Sequence, residues 1–423
     1  MNLDRKTFLR GLGVGALGLM SRPMFGAAAG RPALPSVDNA TFWSVVRANY
    51  RFAEGLRYFN TGGLGPAALP VREAVDATVA ELQDHVETGH HHFVDLKAVV
   101  ADFLGAKSGE EVCFVRNATE GNGIVAGGLN LKAGDEVIFE SHAHPGGSFP
   151  WLLQAQQRGV VVKVFDPMAA TPEEIVDRIA ALATDRTKVV QVSHVTAPTG
   201  IKMPVAAIAK LCRARGWWFH VDGAQTAGMF PFSVRELDFD SYATSGHKWL
   251  GAPHETGLLY IKGERMAEVV PPMVGAYSGQ LDRLPGEMKL EPTSWRYEYG
   301  TRNAALVVGV GAAIAFQNEV GRERIASHGL ALAARFRHGL AQVADVEVIS
   351  PTHPALQASI TTIRSPRIGY SELFGKLMGG HHMRCRPVSE QGLDALRIST
   401  HLFNSPEDID ALVAAIDEAV RAA

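Results

Sequence analysis

Five short and almost wholly apolar runs, DEVIFESH, VVVKVFD, KVVQVSH, WWFHVD and DSYATS, follow one another between positions 135 and 245. Stretches of helical spacing such as TPEEIVDRIAALAT and PVAAIAKLCRARG separate them. A strand solvated on one face alternates apolar and polar side chains, whereas a strand apolar throughout has to be covered on both faces. Helices lying between such strands supply the cover and make the strands parallel. The chain is therefore predicted to be α/β, with a parallel sheet between helices, to which ETGLLYIKG adds one more strand. In a sheet of this kind ligands bind outside the carboxyl ends of the strands. The residues just after each strand are the ones to inspect.

Upstream, PSVDNATFWSVVRANY reads as a short amphipathic helix and LRYFNTGGLGP as a loop, while PVREAVDATVAELQDHVE, with Pro70 near its start, and LKAVVADFLGA read as helices. EVCFVRN is a strand, and ATEGNGIVAGGL starts a helix directly after it. After EYGTRN the pattern changes to two long helices, AALVVGVGAAIAFQNEVG and ERIASHGLALAARFRHGLAQV, then strand-like VEVIS and ASITTIR, with EDIDALVAAIDEAV closing the chain. A lobe boundary is placed near Thr301. The expected division is a segment 30–60 packing on the small domain, a large domain 61–300, and a smaller α+β domain 301–423. With 41 basic and 44 acidic residues the formal net charge is −3, which gives no electrostatic footprint for nucleic acid or an anionic membrane. A small-molecule ligand is the default. The 43 glycines exceed the usual share of roughly 7%, and many sit in polar loops such as NTGGLGP, HPGGSF and GHKWLGAP. That pattern suits backbone brought close to a ligand.

Residues 1–29 have the layout of a signal peptide: Arg5, Lys6 and Arg10, then the apolar run GLGVGALGLM, then Ala27-Ala28-Ala29 as a small-residue cleavage site. DRKTFLR is similar to a twin-arginine export signal with Lys6 in place of the second arginine. Export to the periplasm is the expectation, with a cytoplasmic location as its alternative. No other segment reaches the ~18 apolar residues a membrane helix needs, so no stable membrane insertion is expected after signal removal. Cys113, Cys212 and Cys385 have no CxxC spacing, which points to two core thiols and one loop thiol rather than a disulfide framework or a zinc site. His90, His91 and His92 point in different directions and have no carboxylate or cysteine at ligand spacing, so no metal is expected.

Two chemically active residues fall on the expected rim. WWFHVD ends in Asp222, and DSYATSGHK ends in Lys248, each just past a strand. An amine there can condense with an aldehyde, and a carboxylate nearby can keep a pyridine nitrogen protonated, which makes a pyridoxal ring an electron sink. VRNATEG puts Ala118 and Thr119 at a helix start, where free N–H groups and the dipole favour phosphate. Ser245 and His247 flank the lysine as further donors, Gln225 can donate to a phenolic oxygen, and His144 can stack on an aromatic ring.

HVDGAQTAG, SGHKWLGAP, NATEG, SHVTAPTG, EYGTRN and ALRISTHLFNS together resemble the class V aminotransferase family, fold type I enzymes that use pyridoxal 5′-phosphate. The resemblance runs in order from about Tyr58 to the C-terminus and is strongest to the isopenicillin N epimerase-like branch beside the cysteine desulfurases. It implies a large domain with a mostly parallel seven-stranded sheet and a smaller α+β domain. By resemblance Lys248 carries the cofactor aldehyde, Asp222 pairs with the pyridinium and Gln225 donates to the ring oxygen. His144 stacks on the ring, with His142 the candidate if the loop is shifted, and Ala118, Thr119, Ser245 and His247 hold the phosphate. Gly300 and Thr301 match a segment that reaches the phosphate of a partner subunit, which implies a homodimer with shared active sites. Arg397 is similar to the arginine that clamps a substrate carboxylate, and Asn60 is a further substrate-binding candidate.

Desulfurases of one branch carry a cysteine in GHHCAQP, whereas this chain has GGHHMRCRP, with Met383 at that place and Cys385 two positions on. His381 and His382, beside Arg384 and Arg386, are expected in a mobile loop near the site. The functional expectation is an exported enzyme acting at the α-carbon of an amino acid or an amino-acid-containing metabolite, by transamination. Epimerisation and C–S lysis are the alternatives, and a non-catalytic binding protein on the same fold is the alternative of another class.

Overall fold

The structure is a computed structural model, and it describes residues 33–281 and 283–423. The signal-peptide reading of residues 1–29 lies outside the described residues. Seven strands form the main sheet in the order Val112–Val115, Gly257–Ile261, Ser241–Ser245, Trp218–Asp222, Thr187–Ser193, Glu136–Glu140, Val161–Phe165. Gly257–Ile261 runs antiparallel to both neighbours, and the remaining pairs are parallel. Every residue of the Glu136, Trp218, Ser241 and Gly257 strands is buried, as their unbroken apolar character requires. Ile138, Val190 and Val221 are fully buried at the centre, each worth about 1.5–3 kcal/mol of transfer free energy. The outermost strand, Val161–Phe165, departs from the expectation. Only Phe165 is buried, whereas the strand at the opposite edge, Val112–Val115, is buried throughout, so the exposure reflects incomplete cover of the faces at this edge.

Glycine-bearing sequence misled in one place. HPGGSF reads as a loop, yet a helix occupies Pro145–Arg158, with Pro145 in its first turn and His144 as its N-cap. Proline tolerates the first helical turn because the missing N–H would have no intrahelical partner there.

A second, four-stranded antiparallel sheet orders Glu347–Val348, Ile360–Arg364, Ala395–Ser399 and Arg386–Val388. Helices Arg322–Leu340 and Pro406–Arg421 pack on it through Leu332, Phe336, Leu412 and Ile416. The helix Ala304–Val320, buried on nearly all sides, instead packs into the core of the seven-stranded sheet with Val71, Leu96 and Val100. The break between the two cores therefore falls one helix later than the change in sequence pattern near Thr301. A helix apolar all round cannot serve as a solvent-facing first helix of a small lobe.

Residues 33–60 bridge the two cores: Phe42, Val46 and Tyr50 join the core of the seven-stranded sheet, and other residues reach the small sheet and its helices. Trp43 stacks on His328 at 3.7 Å, Arg47 pairs with Asp408 at 2.5 Å, and Arg57–Tyr58 pairs in parallel with Met383–Arg384. His381 ends the helix Tyr370–His381 and approaches Glu418 at 3.6 Å, and His382 caps it in a left-handed conformation. The expected mobile histidine loop is thus a helix terminus. Among the described residues no single helix is long and apolar enough to cross a membrane, and no group of three His, Cys, Asp or Glu could hold a metal ion.

Candidate active site

Parallel register aligns the strand ends that carry the chemistry: Ser193 stands opposite Asp222, and Asp222 opposite Ala243. Beyond this rim a cavity of about 270 Å³ is bordered by Lys248, Asp222, Gln225, His144, Thr119, Ala118, Ser245, His247 and Arg397. Nine of the eleven side chains singled out in the sequence therefore meet in one place. A larger cavity of about 670 Å³ lies at the amino-terminal ends of the strands, by Glu111, Asp238 and Lys262. There Asp238 pairs with Arg213 at 2.8 Å and Lys262 at 2.9 Å, and Glu111 accepts from the backbone of Lys107 and Gly263. The smaller cavity is the one that gathers the candidate catalytic and cofactor-binding side chains.

The sequence GHKWLG fixes Lys248 through its neighbour. Trp249 is fully buried, its carbonyl accepts from Gln317 and bonds to His401, and its Nε1 donates to Gln225 Oε1 at 2.8 Å. The lysine then projects into the cavity, where desolvation, opposed by Asp222 and reinforced by Arg397 and Arg386, brings its amine down to about 8. Asp222 is held from two sides. Its Oδ1 accepts from Ala224 N at 2.9 Å and its Oδ2 from Asn122 Nδ2 at 2.9 Å.

Asn122 was not singled out in the sequence. It lies one helical turn past Thr119, and its second amide hydrogen goes to Gly146 O at 3.1 Å. Its Oδ1, which can only accept, faces His220 Nε2 at 2.9 Å, so that nitrogen carries the proton. His220 Nδ1 then accepts from the Ser241 hydroxyl at 2.8 Å, and Ser241 Oγ accepts from Trp218 Nε1 at 2.8 Å. Burial pushes His220 down to about 3, which keeps it neutral.

Two helix starts face the cavity. Asn117 caps the helix Ala118–Gly128, and Ala118 N donates to Ser245 Oγ at 3.1 Å. His144 Nδ1 accepts from Gly146 N at 3.0 Å, and desolvation lowers its pKa. His142, the alternative for ring stacking, is buried on Thr199 at 2.9 Å and does not border the cavity. Behind Asp222, burial raises the Glu140 carboxyl to about 7, and its Oε1 accepts from Ser193 N at 3.0 Å.

Arg397, the expected substrate clamp, is buried on the strand Ala395–Ser399. It donates to Ala197 O at 2.9 Å and to Asn60 Oδ1 at 3.0 Å; Asn60, expected as a second substrate contact, does not itself border the cavity and supports Arg397 instead. Thr301 is exposed and does not border the cavity of its own chain. Cys385 is not a loop thiol: it is packed in the core of the small sheet, and burial pushes it up to about 12. Arg386, noted in the sequence only as part of a basic stretch, does border the cavity.

The donors fit a phosphorylated aromatic aldehyde. His247 Nδ1 is buried without a hydrogen-bond partner, and burial lowers that ring to about 4. A Cβ at Gly146 would lie 2.3 Å from Thr119 Oγ1 and one at Gly147 2.7 Å from Asp222 Oδ2, so only glycine lets this helix start approach the carboxylate.

Residues 73–412 match the family described as Aminotransferase class-V. A cysteine desulfurase of Dickeya dadantii (strain 3937) is 31% identical over 336 residues, covering 76% of this chain and 80% of the relative, and one of Yersinia pestis (strain Pestoides F) is 31% identical over 332 residues with the same coverage. Among solved structures the chain is similar to the Escherichia coli cysteine desulfurase CsdA, with a TM-score of 0.81 at 25% identity over 91% of this chain and 100% of that one. It is also similar to the cystine C–S lyase C-DES in complex with cysteine persulfide, with a TM-score of 0.79 at 26% identity over 85% and 97%. The chain belongs to the class V aminotransferase family and has the fold type I architecture of its pyridoxal 5′-phosphate enzymes.

Proposed function

We propose that this pyridoxal 5′-phosphate enzyme acts at the α-carbon of an amino acid or an amino-acid-containing metabolite, by transamination. The observation that carries the reading is the meeting in one cavity of a desolvated Lys248, a doubly held Asp222 and a buried Arg397. Bound cofactor supplies an aldehyde for amine exchange and a ring that takes up the electron pair left when a bond to the α-carbon breaks. Lys248 would hold the cofactor through its aldehyde, and its Nζ is the group placed to take the α-proton of a bound substrate. An amine lowered to about 8 is present in part as the free base near neutral pH. Asp222, held by Asn122 and Ala224, would keep the proton on the ring nitrogen of the bound cofactor. Arg397 orients the α-carboxylate, and the phosphate falls to Ala118, Thr119, Ser245 and His247.

The curated relatives favour C–S lysis as a second reading. Against the form of that chemistry that needs a sulfur-accepting thiol, Met383 occupies the place of the desulfurase cysteine in the resembling motif, and Cys385 is buried. The protein is further proposed to work as an exported homodimer. The signal-like layout of residues 1–29 supports export. Exposed Met273, Val274 and Leu284, on the stretch leading toward Thr301, support a covering partner. The test adds single amino acids to the cofactor-loaded protein while its visible absorbance, keto-acid formation and sulfide release are followed. Keto acid formed one-for-one with loss of the cofactor's aldehyde absorbance supports transamination. Sulfide release from cysteine or cystine with the absorbance preserved supports lysis, and silence towards every amine overturns both.

A further inference from the structure

Arg386 and Arg397 stand directly opposite each other across an antiparallel strand pair, so their side chains leave the same face, and both border the cavity that holds Lys248. Like charges directly opposite on one face destabilise a strand pair. Here the compensation is slight. Arg386 Nη2 donates to Glu390, the one carboxylate among the described residues bonded to either guanidinium. Arg397 spends two N–H groups on the neutral oxygens of Ala197 and Asn60, and its Nε has no partner. Arg386 Nη1 is likewise buried without a partner. Buried guanidinium donors without acceptors are costly, and two of them beside one cavity amount to a site short of anionic oxygen. The cofactor's phosphate does not meet this need, because Thr119, Ser245 and His247 surround its proposed place.

We infer that the substrate carries a second anionic group, a side-chain carboxylate bound by Arg386 while Arg397 takes the α-carboxylate. This inference rests on the proposed α-amino-acid chemistry. The substrate class is then a dicarboxylic α-amino acid, or a larger metabolite that presents one. A planar guanidinium matches a carboxylate in two-point geometry, and a site built on such donors rejects the uncharged isostere because its donors stay unpaired. Cysteine leaves Arg386 Nη1 unmet, which separates this chain's substrate from that of its desulfurase relatives.

The test is titration of the cofactor-loaded protein with L-aspartate, L-glutamate, L-asparagine, L-glutamine and L-cysteine, reading Kd from the change in cofactor absorbance. The acids are expected to bind on the order of 10²-fold more tightly than their amides. In Arg386→Gln that ratio is expected to collapse to within a few-fold, and Arg386→Lys should keep part of it. Equal binding of acids and amides by the wild-type protein overturns the inference and leaves the α-amino-acid reading standing. So does a ratio that survives in Arg386→Gln, which would make Arg386 a mere support for Arg397. If no amino acid perturbs the absorbance at all, the underlying reading falls and the inference with it.

Discussion

Asn122 Nδ2 lies 2.9 Å from Asp222 Oδ2, and the direction of that bond is set four residues deep in the protein. Trp218 donates to Ser241, Ser241 to His220, and His220 to Asn122 Oδ1, so the asparagine amide has a single orientation that satisfies every member. Replacing Asn122 by alanine removes one hydrogen bond to a charged group, worth about 1.5–3 kcal/mol. Cofactor affinity is expected to fall about tenfold to hundredfold, measured by fluorescence titration of cofactor-free protein. Unchanged affinity would show that Ala224 N alone suffices to hold Asp222.

The lowered pKa of Lys248 sets a pH dependence for cofactor capture. Only the free amine attacks the aldehyde, so the capture rate should rise through about pH 8 and be about tenfold lower at pH 7 than at pH 9. Lys248→Ala should abolish the covalent absorbance change and leave only weak binding. An inflection near the ordinary lysine value would contradict the desolvated site.

Glu140 makes a prediction about stability. Its folded pKa is raised to about 7 from 4.5, so its contribution is fully present below about pH 4.5 and lost as pH rises through about 7. Glu140→Gln should therefore change stability little at pH 5 and raise it at pH 8 relative to wild type, as read from urea unfolding at the two pH values. A difference between variant and wild type that does not vary with pH would count against the buried carboxyl.

Gly147→Ala should impair cofactor binding more than folding. The added Cβ would sit 2.7 Å from Asp222 Oδ2 and 3.2 Å from Gln191 Nε2, so the helix start has to move away from the carboxylate. Cofactor titration and thermal unfolding of the cofactor-free protein separate the two effects, and the first is expected to change by tenfold or more for a shift costing about 1.4 kcal/mol.

Cys385 should be inert. A buried thiol pushed up to about 12 has almost no thiolate at pH 8, so alkylation is expected only on unfolding, and Cys385→Ser should retain turnover. Rapid labelling of Cys385 in the folded protein, located by peptide mass spectrometry, would reopen a sulfur-carrier role.

The sequence made Lys248 and Asp222 legible because one follows and the other closes a strand whose apolar run can be recognised without knowing its neighbours. The helix Pro145–Arg158 was hidden by the proline and glycines that let its first turn approach Asp222, so local propensity pointed to a loop where the tertiary contact needed a helix start. Asn122, His220 and Ser241 are bonded across 98 and 21 positions of chain, and no local period carries such a pairing. Arg386 stood in plain view within RCRP, but only the register with Arg397 gives it a direction.

The pairing of Arg57–Tyr58 with the small sheet reaches further than two residues of strand. Phe59 bonds Arg384 and Ser399 through its backbone, Asn60 accepts from Arg397, and Gly62 N donates to Ser399 Oγ. The first loop is thereby stapled to the sheet that bears both guanidiniums, and loop and sheet form a single jaw over the lysine. A displacement of Phe59–Gly62 is therefore transmitted to the strands that carry Arg386 and Arg397.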